Sequence, residues 1–186
     1  MKTPNLHINQ LILRCKKNDS AAQMEIYKLY YKAMYNSALR ILKNEFEAED
    51  IMQEAFLTAF TKLDSFKGEV AFGAWLKRIV INKSLTQLKK NNRYQEVKLE
   101  VIPGEPAEED VVNYENLNVK SVMNALQKLK DNYRVILTLN LIEGYDNEEI
   151  MQILNYSNEN VRTTISRAKK KLKEILSKDT NRINVV

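Results

Sequence analysis

The chain has 186 residues, 44% of them hydrophobic, and a formal net charge of +5, which allows one or two small domains with packed cores. Its 4 glycines and 3 prolines argue against a turn-rich all-β protein. A single histidine (His7) and a single cysteine (Cys15) exclude an internal disulfide and a Cys/His metal site, and we expect no cofactor. Without a signal-peptide core or a long apolar run, the sequence predicts a cytoplasmic protein with no membrane segment.

Four helices are predicted in the first half of the chain. Helical periodicity begins near Ile8, and Ser20 with Gln23 predicts a capping box at the start of the second helix. A third helix is predicted from about Glu47, and a fourth from about residue 74 to residue 90, after a loop containing two glycines.

The third predicted helix carries a cluster of acidic residues in the segment EFEAEDIMQE, residues 45–54. Because no histidine accompanies these acids and a helix scatters them, a metal or catalytic role is the weaker interpretation. The stronger one is an exposed acidic face that meets a basic partner. Exposed apolar neighbours such as Leu57 and Phe60 would strengthen such an interface.

Aromatic and basic residues alternate in residues 66–93. Cations beside aromatic rings suit single-stranded nucleic acid, whose unstacked bases rest on side chains. Alternatively, Phe72 and Trp75 are core residues of a small bundle and the cations form a solvated face. Composition alone leaves these two interpretations equal.

The character of the chain changes between residues 96 and 115, where Lys98 is the single base among many acids and Pro103-Gly104 and Pro106 interrupt any pattern. This composition predicts an extended linker. Helical periodicity resumes near Asn118 and includes a helix predicted over residues 134–142, ended by Gly144. We therefore expect an all-α protein with two small helical domains, residues 7–92 and 117–178, joined by an acidic linker at residues 93–116.

Residues 146–176 read as a short helix, a tight turn and a long basic helix, which is the pattern of a helix-turn-helix. Asp146 with Glu149 predicts a capping box on the first helix. Asn155 suits the left-handed backbone at the exit of that helix, and Ser157 can cap the second.

The long basic helix separates its side chains by face. An apolar stripe recurs at three- and four-residue steps: Val161, Ile165, Ala168, Leu172 and Ile175. Hydrogen-bonding and cationic side chains lie roughly opposite: Arg162, Thr163, Ser166, Lys170 and Lys173, with Arg167 on the flank. Polar groups near the start of such a helix can read bases, and cations can anchor phosphates, although a plain surface helix with a solvated basic face is the alternative.

Taken together, these blocks resemble a bacterial extracytoplasmic-function (group 4) RNA polymerase sigma factor over about residues 11–176. The blocks that carry the resemblance are LILRCKKNDSAAQMEIYKLYYKAMYNSALRIL, AEDIMQEAFLTAFTKLDSF, FGAWLKRIVINKSLTQLKK, ALQKLKDNYRVILTLNLIEGYDNEEIMQIL and SNENVRTTISRAKKKLKEIL. The resemblance implies a promoter-specificity subunit that performs no covalent chemistry. Its implied partners are the RNA polymerase core, promoter DNA and an anti-sigma factor.

The resemblance also implies roles for particular residues. Contacts to the clamp helices of the polymerase largest subunit are implied for Asp50, Gln53, Glu54 and Leu57. Contacts to the minus-ten element are implied for Lys67, Phe72, Trp75, Lys77, Arg78, Asn82, Lys83, Lys89 and Lys90, with Asn82 beside a flipped base of the non-template strand. Contacts to the minus-thirty-five element are implied for Ser157, Glu159, Asn160, Arg162, Thr163, Ser166, Arg167 and Lys170.

The chain departs from the family pattern at three places. Thr86 stands where the family often has an aspartate, and Asn155 stands where it commonly has a glycine. Residues 159–161 (Glu-Asn-Val) stand where the family frequently has Gly-Thr-Val at the start of the long basic helix. This departure affects which promoter sequence the helix reads, and not its role in reading DNA.

Two other functional classes compete with this hypothesis. An ordinary helix-turn-helix repressor or activator would explain the C-terminal third, but not the aromatic-basic segment or the acidic helix. A helical nuclease would use Glu49, Asp50 and Glu54 around a metal ion.

Overall fold

The computed structural model describes residues 4–91 and 119–183, which contain helices and connecting turns and no β-strand. The chain divides into two compact units, Met1–Arg93 and Tyr94–Val186. The all-α prediction is therefore confirmed. The predicted acidic linker, residues 93–116, lies outside the described residues.

The first unit is a bundle of four α-helices in which the second helix packs against each of the other three. The helices are α1 (Pro4–Cys15), α2 (Ser20–Leu42), α3 (Glu45–Thr61) and α4 (Phe72–Lys90), with a 3₁₀ turn at Leu63–Ser65 after α3. The core consists of apolar side chains that are almost fully buried, among them Ile26, Met34, Ala38, Ile41, Leu76, Val80, Ile81 and Leu88. Burial of these side chains supplies the main driving force for folding of this unit.

Helix α2 begins one residue earlier than the sequence predicts, and its N-cap residue is different. Asp19, and not Ser20, is the N-cap, because its Oδ1 accepts hydrogen bonds from two backbone N–H groups of the first turn at 3.0 and 3.1 Å. The Nε of Arg14 donates to its Oδ2 at 2.8 Å. The hydrogen bond from Arg14 and those from the backbone hold the pKa of Asp19 below its usual range. The predicted Ser20–Gln23 capping box is therefore wrong.

The starts of α3 and α4 also lie two residues before their predicted positions. Asn44 caps α3, since its Oδ1 accepts a hydrogen bond from the Glu47 N–H at 3.2 Å. Helix α4 begins at Phe72 without a side-chain cap, so the local sequence offers little signal for its first turn.

The second unit packs three shorter helices against one long helix. The helices are α5 (Val119–Lys128), α6 (Asp131–Leu137), α7 (Asn147–Leu154) and α8 (Asn158–Ile183). The helix predicted over residues 134–142 begins earlier, at Asp131, and its last part is a π-helical turn, Thr138–Ile142. Gly144 follows with φ +77°, and the Asn140 amide donates to the Tyr145 carbonyl at 3.2 Å.

A buried arginine lies in the core of the second unit. Arg134 is 1% exposed and its Nη1 lies 2.6 Å from the Asp131 carboxylate. A buried guanidinium requires such a partner, because an unpaired charge in the interior is strongly destabilising. Helical periodicity in the sequence does not mark Arg134 as buried.

Candidate nucleic-acid and partner interfaces

The turn between α7 and α8 has the local chemistry that the sequence predicts. The capping box on α7 is present, with the Asp146 carboxylate accepting from the Glu149 N–H at 2.8 Å and the Glu149 carboxylate accepting from the Asp146 N–H at 3.0 Å. Asn155 ends α7 in the left-handed conformation with φ 56°. The Oγ of Ser157 accepts from the Asn160 N–H at 3.2 Å at the start of α8. These predictions are confirmed.

The inner face of α8 is apolar and buried against α5, α6 and α7. Val161, Ala168, Leu172 and Ile165 are between 0 and 8% exposed. Thr164, which the sequence analysis missed, is also buried. Its position three residues after Val161 places it on the same stripe, but its polar type hides it.

The outer face of α8 presents polar and basic groups. Arg162, Ser166 and Lys170 recur every four residues and are exposed. Glu159 and Ser157 are also exposed near the start of the helix, whereas Asn160, Thr163 and Arg167 are partly buried on its flanks. The Thr163 hydroxyl donates to the Glu159 carbonyl at 2.7 Å, so its oxygen remains as an acceptor.

In the first unit, an aromatic cluster forms where the 3₁₀ turn meets the start of α4. The ring centroid of Phe66 lies 5.5 Å from that of Phe72 and 5.2 Å from that of Trp75, and Phe72 also contacts Tyr30 at 5.6 Å. A Cβ atom on Gly73 would lie 2.8 Å from Cε1 of Tyr30, so glycine permits this close packing.

The burial of Phe72 decides between the two interpretations of that ring. Phe72 is 3% exposed, so it is a core residue, and its assignment as a direct DNA contact is corrected. A ring enclosed by other rings cannot stack on a base. Trp75 and Phe66 are partly exposed and lie against Phe72. Phe72 therefore packs against the two partly exposed rings and supports them from the core.

One face of α4 gathers four of the predicted DNA-contact residues. Trp75, Arg78, Asn82 and Lys89 are spaced by three, four and seven positions, which places them on one side of a helix. Asn82 and Lys89 are exposed, and Trp75 and Arg78 are partly buried. Lys67 is exposed in the loop before α4, and Lys90 is exposed at its end.

Two predicted DNA-contact lysines lie away from that face. Lys77 precedes the buried residues Val80, Ile81 and Ser84 by three, four and seven positions and so lies on the inner side of α4. Lys83 lies beside Asn82 at the edge toward α3, where its Nζ is 3.0 Å from the Glu54 carboxylate.

The outer face of α3 combines acidic and large apolar side chains. The four residues that the resemblance assigned to the polymerase, namely Asp50, Gln53, Glu54 and Leu57, are all exposed. Leu57 is 69% exposed, and Phe46, about three helical turns earlier on the same side, is 83% exposed. The sequence analysis missed Phe46 because it placed the start of α3 near Glu47. Phe60, expected to be exposed, is partly buried.

Neither a metal cluster nor a membrane span is found in the part of the chain that the structure describes. No group of three or more His, Cys, Asp and Glu side chains there is arranged to hold a metal ion. Within the same residues, none of the helices combines the length and the hydrophobicity that crossing a membrane requires.

Comparison with known proteins matches each unit to a separate sequence family. Residues 26–94 match Sigma-70 region 2, and residues 120–172 match Sigma-70, region 4. The chain is 32% identical over 182 residues to the ECF RNA polymerase sigma factor SigW of Bacillus subtilis, covering 91% of this chain and 96% of that protein. The chain belongs to the ECF RNA polymerase sigma factors.

Other relatives agree with this family. The chain is 28% identical to the ECF RNA polymerase sigma-E factor of Escherichia coli K12, covering 86% of this chain and 88% of that protein. Its fold is similar to the sigma factor RpoE of Bartonella quintana, solved in complex with the anti-sigma factor NepR, with a TM-score of 0.57, 25% identity, and coverage of 83% of this chain and 96% of that one. CnrH, solved with the cytosolic domain of CnrY, shares the fold with a TM-score of 0.54 and 22% identity, covering 91% and 96% of the two chains.

Membership of this family decides between the functional classes that the sequence left open. A sigma factor is a promoter-specificity subunit that binds the RNA polymerase core and acts in transcription initiation without being an enzyme. The hypothesis of a helical nuclease is therefore wrong. An ordinary repressor with a sensor domain is excluded as well, because the first unit matches sigma region 2.

Proposed function

We propose that this sigma factor reads the minus-thirty-five element with the outer face of α8. The observation that carries the proposal is the division of α8 into a buried apolar face and an exposed face with Arg162, Ser166 and Lys170. Arginine can donate two hydrogen bonds to a guanine edge in the major groove, and lysine anchors phosphates. Asn160, Thr163 and Arg167, on the flanks, can contact bases or backbone at the groove edges.

We infer that α4 contacts the minus-ten element and opens it. The support is one face that combines a partly exposed tryptophan, an exposed asparagine and cations. A base that leaves the duplex costs a few kcal/mol of stacking and pairing. Trp75 can stack on it, Asn82 can hydrogen-bond its edge, and Arg78 and Lys89 can hold the flanking phosphates. We assign Phe72 a supporting role beneath Trp75.

We infer that the outer face of α3 binds the clamp helices of the polymerase largest subunit. Interfaces of this kind commonly place large apolar side chains at the centre of a polar rim. Phe46 and Leu57 provide the apolar centre, and Asp50 and Glu54 provide a negative rim that suits a basic partner. We infer that the protein binds the polymerase in the cytoplasm.

We further infer that an anti-sigma factor holds this chain inactive. The sigma factor RpoE of Bartonella quintana, which has a similar fold, was solved with an anti-sigma factor. The exposed apolar side chains of α3 form a surface that such a protein can cover.

We also propose that the chain has two functional domains, residues 7–92 and 117–178, joined by a linker at residues 93–116. When both domains are held on one polymerase, their two weak DNA contacts cooperate.

Run-off transcription tests the proposal as a whole. Purified core polymerase is mixed with the chain and with genomic fragments that include the region upstream of its own gene. The proposal expects transcripts with defined starts that appear only when the chain is present. Transcription that is unchanged by the chain on all fragments would refute it.

A further inference from the structure

An ion pair joins the two helices that the proposed function gives to different partners. The Nζ of Lys83 on α4 lies 3.0 Å from Oε2 of Glu54 on α3, with the two side chains 29% and 60% exposed. Glu54 lies on the acidic surface proposed for the polymerase. Lys83 follows Asn82 in the helix proposed for the minus-ten element.

The packing of α3 against α4 does not depend on this ion pair. Ala48 and Ala55 on α3, and Val80 and Ser84 on α4, are fully buried. The Asn91 amide donates to the Glu47 carboxylate at 2.7 Å and ties the end of α4 to the start of α3. The Glu54–Lys83 pair can therefore open while the helices stay in place.

Opening this pair costs little. Ion pairs on a protein surface contribute at most about a fivefold change in an equilibrium constant, because water and salt screen them. The ammonium of lysine is carried on a flexible four-carbon chain, so Lys83 can turn away from α3 toward a phosphate beside Asn82. While the pair is closed, the Glu54 carboxylate offsets the positive charge that would attract that phosphate.

We propose that binding to RNA polymerase exchanges the partners of this ion pair. A basic group of the polymerase takes the Glu54 carboxylate, and the released Lys83 ammonium binds a phosphate of the promoter. The inference rests on the proposed functions of α3 and α4. Because the two binding events break the same ion pair, each raises the affinity of the other by the same factor. Glu54 and Lys83 thereby keep DNA binding weak until the polymerase is bound.

The exchange can be tested on the free full-length chain with a fluorescein-labelled single-stranded oligonucleotide at low salt. Glu54→Gln releases Lys83 and should tighten binding by about threefold, within the range expected for a surface pair. Lys83→Gln alone should change the affinity little, and the double variant Glu54→Gln/Lys83→Gln should lose the gain. All of these positions are at least partly exposed, so the variants retain the folded core.

Glu49→Gln is the matched control, because it removes the same charge from the exposed face of the same helix. The carboxylate of Glu49 accepts a hydrogen bond from the Gln53 amide at 3.3 Å, and no lysine takes part in that hydrogen bond. A gain in affinity for Glu54→Gln that exceeds the gain for Glu49→Gln, and that requires Lys83, supports the exchange. Equal gains for the two variants would show an effect of net charge and overturn it. If Lys83→Gln lowers the affinity by the same factor in the wild type and in the Glu54→Gln variant, the exchange is overturned as well.

A second measurement separates the exchange from the proposed function. With saturating core polymerase and a promoter fragment, the gain from Glu54→Gln should disappear, since Glu54 is already engaged. A persistent gain in that complex would overturn the exchange. If the wild-type chain fails to bind core polymerase in a pull-down, the proposed function of α3 fails, and the inference that rests on it fails with it, even where the free chain shows coupling between Glu54 and Lys83.

Discussion

The two proposed DNA faces of this sigma factor are built in different ways. The outer face of α8 lies opposite a simple apolar stripe, so Arg162, Ser166 and Lys170 are exposed and take no part in the core. The face of α4 rests on a cluster of rings that includes the buried Phe72, and its edge is tied to α3 through Lys83 and Glu54. If the proposed roles hold, surface substitutions can change the promoter sequence that α8 reads without disturbing the core, whereas substitutions on the α4 face also affect the packing beneath it.

The largest expected effect concerns the ring beneath the α4 face. Phe72→Ala should lower the free energy of unfolding of the first unit by about 3–5 kcal/mol, because it removes a buried ring and leaves a cavity. Urea unfolding followed by tryptophan fluorescence measures it, since the single tryptophan, Trp75, lies in this unit. Leu57→Ala, at a position 69% exposed, is the control and should change stability by about 0.5 kcal/mol or less. A similar small change for Phe72→Ala would contradict the core assignment.

Substitutions on the outer face of α8 should weaken DNA binding and leave the free energy of unfolding unchanged. Arg162→Ala should weaken binding of the polymerase complex to its promoter by about 1–3 kcal/mol at a favoured base pair. Lys170→Ala should weaken binding to all sequences alike and reduce the slope of log K against log salt by about 1. Filter binding at several salt concentrations distinguishes the two. Equal loss of binding to core polymerase would mean that this face of α8 has another partner.

A smaller effect is expected for the base contact proposed on α4. Asn82→Ala should reduce the fraction of open promoter by about fivefold, the equivalent of one hydrogen bond of about 1 kcal/mol. Permanganate reactivity of unpaired thymines measures the opening, and a pull-down measures core binding on the same sample. Thr86→Ala, at an exposed position one turn further along, is the control. A decrease in core binding as large as the decrease in opening would rule out the flipped-base role.

The smallest effect concerns the cap of α2. Since Arg14 lowers the pKa of Asp19, their interaction stabilises the fold above the ordinary carboxyl pKa of about 4 and is lost as the pH falls through the lowered value. The stability difference between the wild type and Arg14→Gln should therefore be present at neutral pH and shrink below about pH 4. Urea unfolding at several pH values tests this. A difference that is independent of pH would mean that Arg14 acts through packing alone.

Features that depend on local contacts could be predicted from the sequence, whereas features that depend on tertiary contacts could not. The caps at Asp146 and Ser157 and the stripe beginning at Val161 depend on neighbours in the sequence, so the second unit's helix-turn-helix was predictable. The cap at Asp19 depends on Arg14 from the preceding helix as well as on its own turn. Local rules alone did not choose between Asp19 and Ser20.

Other features required the packed structure. Phe72 and Trp75 have similar sequence surroundings, yet only Phe72 is enclosed by Tyr30, Phe66 and its other neighbours. Lys77 and Lys83 both count as cations near aromatics, but helix packing turns one inward and pairs the other with Glu54. Arg134 looks like a surface residue until its neighbours bury it beside Asp131.

Site-specific photo-crosslinking in the complex with core polymerase and a promoter tests the central claim most directly. A photoreactive residue at Ser166 on α8 should crosslink to the minus-thirty-five element, and one at Thr86 on α4 should crosslink to the minus-ten element. A probe at Asn124, which is exposed on α5, provides the control and should give no crosslink to either element. Crosslinks from Ser166 and Thr86 that are absent, or that appear at the opposite elements, would contradict the account.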